Sequence, residues 1–359
     1  MSSPRRQRLS PEVFDLPVEE LRAGWYTDAY FNHARATLLA DGRHPNVVMQ
    51  VFQKNHAWLG GTDEAIAILR LCADEPDGLT IRALHDGDRI EPWETVLTIE
   101  GDYTTFAHLE TVYLGALARR TLITTNVVRV LEAANGKPII FMPARHDHQR
   151  VQAGDGYAAY VAGQVTGREI GVTSDAQASW WGGRGIGTVP HSLIAAYDGD
   201  TVLAARKFAE WAPPEMSVTV LVDFENDSVR TALEVAEALG ERLWGIRLDT
   251  AETLVDRSLW EELGDFTPTG VNEHLVRKVR DALDSAGFGH VRIVASGGFT
   301  VEKIRAFEEH GVAVDAYGVG SSLIRGANDF TADVVLTDGR PSAKFGRRFR
   351  DNPRLEVAV

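Results

Sequence analysis

The chain has one cysteine, no long apolar run and fewer basic than acidic residues. Its single cysteine among 359 residues, Cys72, excludes an intramolecular disulfide framework and a zinc site made of clustered cysteines. No segment approaches the roughly twenty consecutive apolar residues that a membrane-spanning helix needs. The basic N-terminal residues (MSSPRRQRLS) are followed by no apolar core, which excludes a secretory signal peptide. We therefore expect a cytoplasmic protein with no membrane partner and a flexible arm over residues 1–20.

The charge balance restricts the partners of the protein. There are 37 lysines and arginines against 51 aspartates and glutamates, a net charge of −14. Nucleic-acid surfaces need clustered basic residues, so we expect no nucleic-acid partner. A small anionic substrate remains compatible, because local arginines, a magnesium ion and backbone amides bind phosphate whatever the overall charge. The basic run that begins at Lys344 (KFGRRFR) has the composition of a phosphate-binding segment, but we interpret it as a solvated surface.

The chain also lacks a GxGxxG run after an early strand, which disfavours a dinucleotide-binding fold. From residue 138 onwards, apolar strands alternate with amphipathic helices, a pattern typical of a parallel sheet. Six or more such strands over about 200 residues favour an irregular TIM-like (β/α) barrel over a doubly wound sheet. We place an N-terminal α/β lobe at 21–112, the barrel at 113–330 and a C-terminal segment at 331–359, which we expect to return to the lobe.

Hydrophobic periodicity and capping residues predict the individual elements. The predicted helices are 28–40, 63–73, 105–134 with a break near 121–125, 154–163, 201–209, 228–239, 272–285 and 300–310. The predicted strands are a β-rich piece over 80–99, then 138–142, 187–189, 217–222, 243–248, 291–295 and 312–317.

Two glycine-rich turns about twenty residues apart are the most informative local feature. They are Ser296-Gly297-Gly298 and Gly318-Val319-Gly320. Each follows a strand-like run, and glycine allows an anion to approach bare backbone N–H groups. Two such turns on neighbouring barrel strands form a clamp for one phosphate group. One glycine turn alone is a weak signal, so the pair carries the prediction of a phosphorylated ligand.

Ionisable residues follow nearly every predicted strand, at the end where the chemistry of a barrel collects. They are Arg145, His146, Asp147 and His148 after PIIFM, His191 and Ser192 after GTV, Asp223 and Glu225 after SVTVLV, and Arg247 and Asp249 in GIRLD. Arg247 and Asp249 are one residue apart on the same strand face. They suit an aromatic anion and a sugar diol respectively.

Each of these groups also has a purely structural interpretation. Arg145 and His146 form a pair that the surface of any protein can carry, and His146 with His148 is also the spacing of two metal ligands. His191 after a proline fits a buried, hydrogen-bonded core histidine, and Asp249 fits a cap on a following helix. The residues alone leave these alternatives open.

The ordered set of motifs resembles nicotinate phosphoribosyltransferase, in its shorter archaeal-type branch, over roughly residues 20 to 325. The motifs are Tyr26-Thr27-Asp28, Arg145-His146, Thr173-Ser174, Gly187-Thr188-Val189-Pro190-His191-Ser192, Arg247-Leu248-Asp249-Thr250 and the two glycine turns. The resemblance implies a type II phosphoribosyltransferase fold and a homodimer or higher homo-oligomer in which the dimer completes each site. It implies transfer of phosphoribosyl from phosphoribosyl pyrophosphate to nicotinate, with ATP as co-substrate and Mg²⁺ as cofactor.

The resemblance also implies roles for single residues. His191 takes the phosphate of ATP and is the phosphohistidine, and Tyr26 reaches the pyridine ring across the dimer. Arg145 and Arg247 contact the nicotinate carboxylate or the pyrophosphate, while Asp249 holds ribose hydroxyls and is a candidate Mg²⁺ ligand. The expected catalytic residues are His191, Arg247 and Asp249. The expected substrate-binding residues are Tyr26, Arg145, His146, Thr173, Ser174, Ser192 and Asp223. The expected phosphate-binding residues are Ser296, Gly297, Gly298, Gly318 and Gly320.

Two departures from the family pattern concern the site. The segment after Asp249 carries Glu252 where the family has a second aspartate, and its glycine is missing. Asp175, in the segment 174–177 that the family places at the pyridine pocket, disfavours nicotinate and suits an amide such as nicotinamide. Three alternatives therefore stand beside nicotinate transfer. They are a related enzyme for nicotinamide, quinolinate or another aromatic base, a non-catalytic nucleotide-binding homologue, and a barrel enzyme of different chemistry that shares only a phosphate site.

Overall fold

The computed structural model describes residues 7–214, 216–262 and 264–358. The chain forms two compact units: unit 1 takes the described residues of 1–128, 153–165 and 325–359, and unit 2 takes those of 129–152 and 166–324. The domain boundaries that we placed from the sequence, after residues 112 and 330, stay predictions.

The predicted flexible arm falls partly on residues 1–6, which lie outside the described residues. From residue 8 the chain is packed within unit 1. Arg8 donates from Nη1 to Oδ1 of Asp63 at 2.9 Å, and Phe14 is buried. Asp63 is itself buried, so its carboxylate needs the guanidinium as a partner.

The secondary structure is mixed. In chain order the strands are β1 (Asn46–Phe52), β2 (Ala57–Trp58), β3 (Thr80–Ala83), β4 (Arg89–Ile90), β5 (Thr95–Asp102), β6 (Ile139–Phe141), β7 (Ile170–Val172), β8 (Val218–Leu221), β9 (Leu243–Leu248), β10 (Arg292–Ala295), β11 (Ala316–Val319), β12 (Thr331–Thr337), β13 (Arg340–Pro341) and β14 (Glu356–Val357). The α-helices are α1 (Val18–Arg22), α2 (Ala29–Ala40), α3 (Thr62–Cys72), α4 (Glu110–Ala133), α5 (Gln152–Thr166), α6 (Asp175–Ala178), α7 (His191–Ala196), α8 (Thr201–Trp211), α9 (Ser228–Leu239), α10 (Glu273–Ser285) and α11 (Val301–Glu309). Short 3-10 helices lie at Pro11–Phe14, Pro76–Gly78, Tyr103–Thr105, Ala107–Leu109, Ala144–His146, Gln149–Val151, Ser179–Trp181, Gly240–Arg242, Arg257–Glu262 and Ser321–Ile324.

Unit 1 is built on an antiparallel sheet with the strand order β13-β12-β1-β5-β3-β14. The pattern of β3 shows why one face is buried: Ile81 and Ala83 point to the core, while Thr80 and Arg82 are exposed. The β-rich piece predicted over 80–99 is thus confirmed as β3, β4 and β5. Strand β12, from the C-terminal segment, pairs antiparallel with β1.

The break predicted in the long helix is wrong, because α4 runs without interruption from Glu110 to Ala133. Threonine destabilises the interior of a helix when its hydroxyl competes for the hydrogen bonds of the backbone. Here the hydroxyls bond to other segments of unit 1. Thr121 donates to the carbonyl of Gly60 at 3.1 Å, and Thr124 donates to that of Ala158 at 3.2 Å. Within the described part of the chain, no helix is both long and apolar enough to cross a membrane.

Unit 2 contains the predicted parallel sheet, with the order β7-β6-β11-β10-β9-β8 and every neighbouring pair parallel. The segment predicted as a strand over 187–189 forms only an isolated bridge at Val189, but with Ile186 it joins both edges of this sheet. Ile186 donates its N–H to the carbonyl of Val172 on β7, and Val189 donates to that of Thr219 on β8, both at 2.8 Å. The sheet is therefore bridged into an irregular barrel, which confirms the predicted fold class.

Helices α9, α10 and α11 confirm the amphipathic patterns of the sequence. Each begins after a capping residue, and the side chains of Asp227, Asn272 and Thr300 accept a hydrogen bond from the first turn. The apolar residues Ile304 and Phe307 of α11 are buried. Because these helices alternate with parallel strands, the carboxyl ends of the strands lie at one edge of the sheet.

Candidate active site

A hydrogen-bonded network joins the ends of β9 and β10. Nε of Arg247 donates to Oγ of Ser296 at 2.8 Å, and Nη2 of Arg247 donates to Oδ2 of Asp249 at 3.1 Å. Ser296 Oγ also lies 2.7 Å from Oδ1 of Asp249. Neighbouring parallel strands bring these three side chains together, because Ala295 is in register with Leu248. The arginine and the aspartate predicted as separate ligand contacts thus form one preorganised pair.

The first glycine turn follows β10 directly. Gly297 and Gly298 have φ of +85° and +68°, in the left-handed region that glycine adopts without strain. A Cβ added at Gly298 would overlap the carboxylate of Glu252, which therefore lies against this turn. The turn leads into α11, where the Thr300 side chain accepts a hydrogen bond from the N–H of Lys303 in the first turn. The phosphate-binding role of Ser296, Gly297 and Gly298 stays a prediction.

The second glycine motif is a strand end and not a turn. Strand β11 begins at Ala316, later than the predicted 312–317, and contains Gly318. Neither Gly318 nor Gly320 has a positive φ. The reason for glycine is close packing: a Cβ at Gly320 would lie 3.1 Å from Nε2 of His146, and one at Gly318 would lie 3.1 Å from Cβ of Ser296. The motif thus lies beside Ser296, on the strand next to β10.

His191 is the first residue of α7, directly after the proline that precedes the helix. Its Nε2 lies 2.9 Å from Oδ1 of Asp223, which follows β8. The Asp223 side chain is 7% exposed and that of His191 is 44% exposed, so the alternative of a buried core histidine is wrong. The hydrogen bond to Asp223 raises the pKa of His191, partial burial opposes it, and the charges of Asp249 and Arg247 act in opposite directions. Asp223 therefore orients the ring and leaves Nδ1 available.

We expect the His191–Asp223 pair to make stability depend on pH. The folded-state pKa of His191 is raised above its usual value of about 6.5, so the charged pair stabilises the folded state below that pH. This contribution disappears as the pH rises through the folded-state pKa. Asp223→Asn should therefore lower the melting temperature more at about pH 5.5 than at about pH 9. An equal loss at both pH values would contradict the assignment. The control is the same Asp223→Asn change made in a His191→Gln protein, where the loss in melting temperature should no longer differ between the two pH values.

The segment predicted to line the pyridine pocket is a helix cap. Ser174 caps α6 by accepting a hydrogen bond from the N–H of Gln177, and its hydroxyl donates to Oε1 of Gln152 at 2.8 Å. Thr173 donates its N–H to Oε1 of Gln177 at 3.0 Å. Asp175 accepts a hydrogen bond from the N–H of Gly185 at 2.9 Å. Its carboxylate thus has a structural partner, which weakens the sequence-based expectation that it excludes nicotinate.

Three other predicted residues lie on the surface. Arg145 and Ser192 are exposed in unit 2, and Tyr26 is 44% exposed in unit 1. Their predicted contacts with substrate stay predictions. The alternative in which Asp249 caps a helix is wrong, because the described residues 249–256 contain no helix start.

Lys303 is a site residue that the sequence analysis missed. Its Nζ lies 3.4 Å from the carbonyl of Gly297 and 4.5 Å from the centroid of the Phe299 ring. Burial lowers the pKa of Lys303, and the nearby Glu252 partly opposes this. A lysine five residues after a Ser-Gly-Gly motif is the signal that would have identified it. It adds a half-buried amine beside the turn that the sequence predicts to bind phosphate.

We expect Ser296→Ala to destabilise the fold moderately. The change removes the acceptor of Arg247 Nε and the hydroxyl beside Asp249, and Ser296 is 2% exposed. Loss of such a buried polar partner costs about 1–3 kcal/mol of the free energy of unfolding. Urea denaturation measures it, with the exposed Ser285→Ala as a control that should change stability by less than about 0.5 kcal/mol. A Ser296→Ala protein as stable as the control would show that the network is not formed in solution.

No group of three or more His, Cys, Asp or Glu side chains within the described ranges is arranged to hold a metal ion. Among these residues, no third ligand lies with His146 and His148, so their interpretation as metal ligands gains no support. A Mg²⁺ ion bound mainly through substrate phosphates needs only one or two carboxylates. Asp249, which is 20% exposed in its side chain, and Glu252 beside the glycine turn fit that requirement.

Comparison with known proteins identifies the fold. A family model described as the N-terminal domain of quinolinate phosphoribosyl transferase matches residues 28–121. Nicotinate phosphoribosyltransferase pncB1 of Mycobacterium tuberculosis is 31% identical, over 91% of this chain and 76% of that protein. The crystal structure of a nicotinate-nucleotide pyrophosphorylase from Pyrococcus furiosus matches at a TM-score of 0.78 and 31% identity, over 93% of this chain and 80% of that one. Human nicotinic acid phosphoribosyltransferase shares the fold, at a TM-score of 0.65 and 17% identity, over 88% of this chain and 75% of that one.

The bridged parallel sheet, the glycine turn after β10 and these structural neighbours define a type II phosphoribosyltransferase fold. The relative from Mycobacterium tuberculosis narrows the assignment further. The chain belongs to the nicotinate phosphoribosyltransferase family of enzymes, as the motif resemblance predicted.

Proposed function

We propose that the protein transfers phosphoribosyl from phosphoribosyl pyrophosphate to nicotinate, in the salvage of NAD, and couples this transfer to ATP hydrolysis. The observation that carries the proposal is the geometry of unit 2. One edge of one sheet holds the His191–Asp223 pair, the Arg247–Asp249 pair and the glycine turn at Gly297.

The chemistry needs what this edge supplies. The bond from the ribose anomeric carbon to pyrophosphate breaks, a bond to the pyridine nitrogen forms, and pyrophosphate leaves with the electron pair. Positive charge develops on the ribose and negative charge on the leaving group, so the enzyme has to position the ring and neutralise the leaving anion. In our assignment the turn at Gly297 and the amine of Lys303 hold the 5′-phosphate, Asp249 holds ribose hydroxyls, and Arg247 faces the anionic groups.

His191 is the proposed site of phosphorylation by ATP. Since Asp223 occupies Nε2, the ring nitrogen that would take the phosphoryl group is Nδ1. A carboxylate partner stabilises the positive charge that the ring carries while it is phosphorylated. The partly exposed ring at the start of α7 is accessible to a nucleotide. Mg²⁺, bound through Asp249 and the substrate phosphates, would neutralise part of the phosphate charge.

The choice of base is the finer part of the proposal. Nicotinate is supported by the family of the chain and by the hydrogen bond that ties Asp175 to Gly185. Quinolinate is the second candidate, because the family model over residues 28–121 is that of quinolinate phosphoribosyl transferase.

The test is to incubate the purified protein with phosphoribosyl pyrophosphate, Mg²⁺ and ATP, and to offer nicotinate, nicotinamide and quinolinate separately. Mononucleotide formed from nicotinate alone is the expected result, and it should increase with ATP. Product from quinolinate with release of carbon dioxide would transfer the assignment to the second candidate. Absence of product from all three bases would reject the enzymatic proposal in favour of a nucleotide-binding homologue.

A further inference from the structure

A carboxylate occupies the space that the glycine turn after β10 leaves open. A Cβ built on Gly298 would lie 2.7 Å from Cδ of Glu252 and would overlap its Oε1. One built on Gly297 would lie 3.5 Å from Oδ1 of Asp249. Asp249 is neutralised by Arg247, whose Nη2 donates to it at 3.1 Å. The charge at the turn that lacks such a partner is therefore that of Glu252.

The backbone that carries Glu252 is fixed by its neighbours. Gly270 has φ of +66°, and a Cβ there would lie 3.2 Å from Cα of Glu252, which makes glycine the residue that fits at this approach. Further along the same connection, the buried Asp256 carboxylate accepts hydrogen bonds from the N–H and the hydroxyl of Ser228 and of Ser258. The position of the Glu252 backbone beside the glycine turn is therefore determined by the fold.

The Glu252 side chain itself is held weakly. It is exposed, and among the residues that the structure describes it forms no hydrogen bond and no ion pair. Burial lowers the pKa of Lys303, and the charge of Glu252 partly opposes this, so the carboxylate and the amine attract each other beside the turn. Because no hydrogen bond has to break, the carboxylate can rotate into solvent at little cost.

A carboxylate and a phosphate group compete for the same surroundings. Both are anions, both accept hydrogen bonds from backbone N–H groups, and both are attracted by an ammonium group. Like charges a few ångströms apart repel each other, so a phosphate that reaches the turn has to displace the carboxylate of Glu252. The free energy of this displacement is the same for every ligand that places a phosphate at the turn.

We propose that Glu252 is an internal competitor for the phosphate-binding turn, a carboxylate that weakens the binding of every ligand with a 5′-phosphate. The proposal rests on the phosphate-binding role that the proposed function gives to the turn and to Lys303. Its consequence is faster release of the mononucleotide product, which keeps the 5′-phosphate, while the pyrophosphate group gives the substrate further contacts. Binding that is equal in substrate and transition state does not accelerate the chemical step, so its loss costs little at saturating substrate.

Binding of ribose 5-phosphate measures this competition without the reaction. Calorimetry is carried out on the full chain with ribose 5-phosphate and with inorganic phosphate, in EDTA and without ATP or a base. The variants are Glu252→Gln, which removes the charge at nearly the same size, and Glu252→Asp, which keeps the charge and shortens the side chain. The control is Glu261→Gln, the same change at an exposed glutamate in the same connection between β9 and α10. Melting curves verify that all four proteins are folded.

We expect Glu252→Gln to bind ribose 5-phosphate at least about fivefold more tightly than the wild type, and Glu252→Asp to lie between the two. Inorganic phosphate should show the same order of affinities. Glu261→Gln should bind both ligands as the wild type does. In the transfer reaction, the product mononucleotide should inhibit Glu252→Gln at a correspondingly lower concentration than it inhibits the wild type.

The results that overturn the proposal differ from those that reject the site. Affinity for ribose 5-phosphate that is equal in Glu252→Gln and the wild type, or lower in the variant, would overturn the role of Glu252 and leave the phosphate site intact. An equal gain in Glu261→Gln would overturn it too, since the cause would be the charge of the whole chain. If Glu252→Gln changes the affinity only when Mg²⁺ is present, Glu252 is a ligand of the ion and not a competitor. Absence of binding to all four proteins at millimolar concentration would reject the phosphate-binding turn together with this inference.

Discussion

His191→Ala should abolish the stimulation of phosphoribosyl transfer by ATP and leave a slow transfer that is independent of ATP. The side chain is removed together with its hydrogen bond to Asp223 and with Nδ1, the proposed acceptor of the phosphoryl group. With saturating ATP, kcat/KM for phosphoribosyl pyrophosphate should fall by at least about tenfold, to the value measured without ATP. The measurement is mononucleotide formed with and without ATP, together with the transfer of labelled γ-phosphate to the protein.

The control for this variant is His290→Ala, which removes an exposed histidine in the loop before β10. It should keep the stimulation by ATP and the labelling of the protein. If ATP dependence survives His191→Ala, the role assigned to His191 is wrong, whatever the base specificity of the enzyme turns out to be.

Asp249→Ala should raise the requirement for phosphoribosyl pyrophosphate strongly. The carboxylate is the partner of Arg247 at 3.1 Å and of Ser296 at 2.7 Å, so its loss also frees the guanidinium from its position. Removing a charged hydrogen-bond partner from a preorganised site costs about 2–3 kcal/mol, which corresponds to a fall of roughly 100-fold in kcat/KM. Initial rates over a range of phosphoribosyl pyrophosphate concentrations measure the effect.

Two variants show whether this effect is specific. Asp249→Asn keeps the size of the side chain and one acceptor oxygen, and we expect a smaller loss than with alanine. Asp281→Ala removes an exposed carboxylate from α10 and should leave the kinetics unchanged. An unaltered substrate dependence in Asp249→Ala would restrict Asp249 to holding Arg247 in place.

The sequence predicted most of the fold of unit 2. The strands β8, β9 and β10 and the helices α9, α10 and α11 have local signatures, because an apolar run or a cap with an amphipathic face depends only on neighbouring residues. The break in α4 was predicted wrongly for the same reason. The local cost of threonine in a helix is visible in the sequence, but its hydrogen bonds to Gly60 and Ala158 are not.

The site was predicted less completely. The motif pattern identified His191, Arg247 and Asp249 as candidates, and the structure brings the last two together with Ser296. It also shows that Asp223 orients His191, and that Lys303 lies beside the glycine turn. The His191–Asp223 contact has no local signature, since it depends on which strands are neighbours, whereas Lys303 lies only six residues from Gly297 and could have been found from the sequence.

By itself the sequence determined the alternation of strand and helix, the family of the chain and the order of its motifs. These properties depend on residue type and on spacing along the chain. Only the tertiary structure decided that His191 pairs with a residue 32 positions away and that Arg247 bonds to one 49 positions away. It also placed the basic C-terminal run on Trp93, more than two hundred residues earlier in the sequence. The physical reason is that parallel pairing and sheet order bring distant segments into contact, and no local pattern encodes which segments these are.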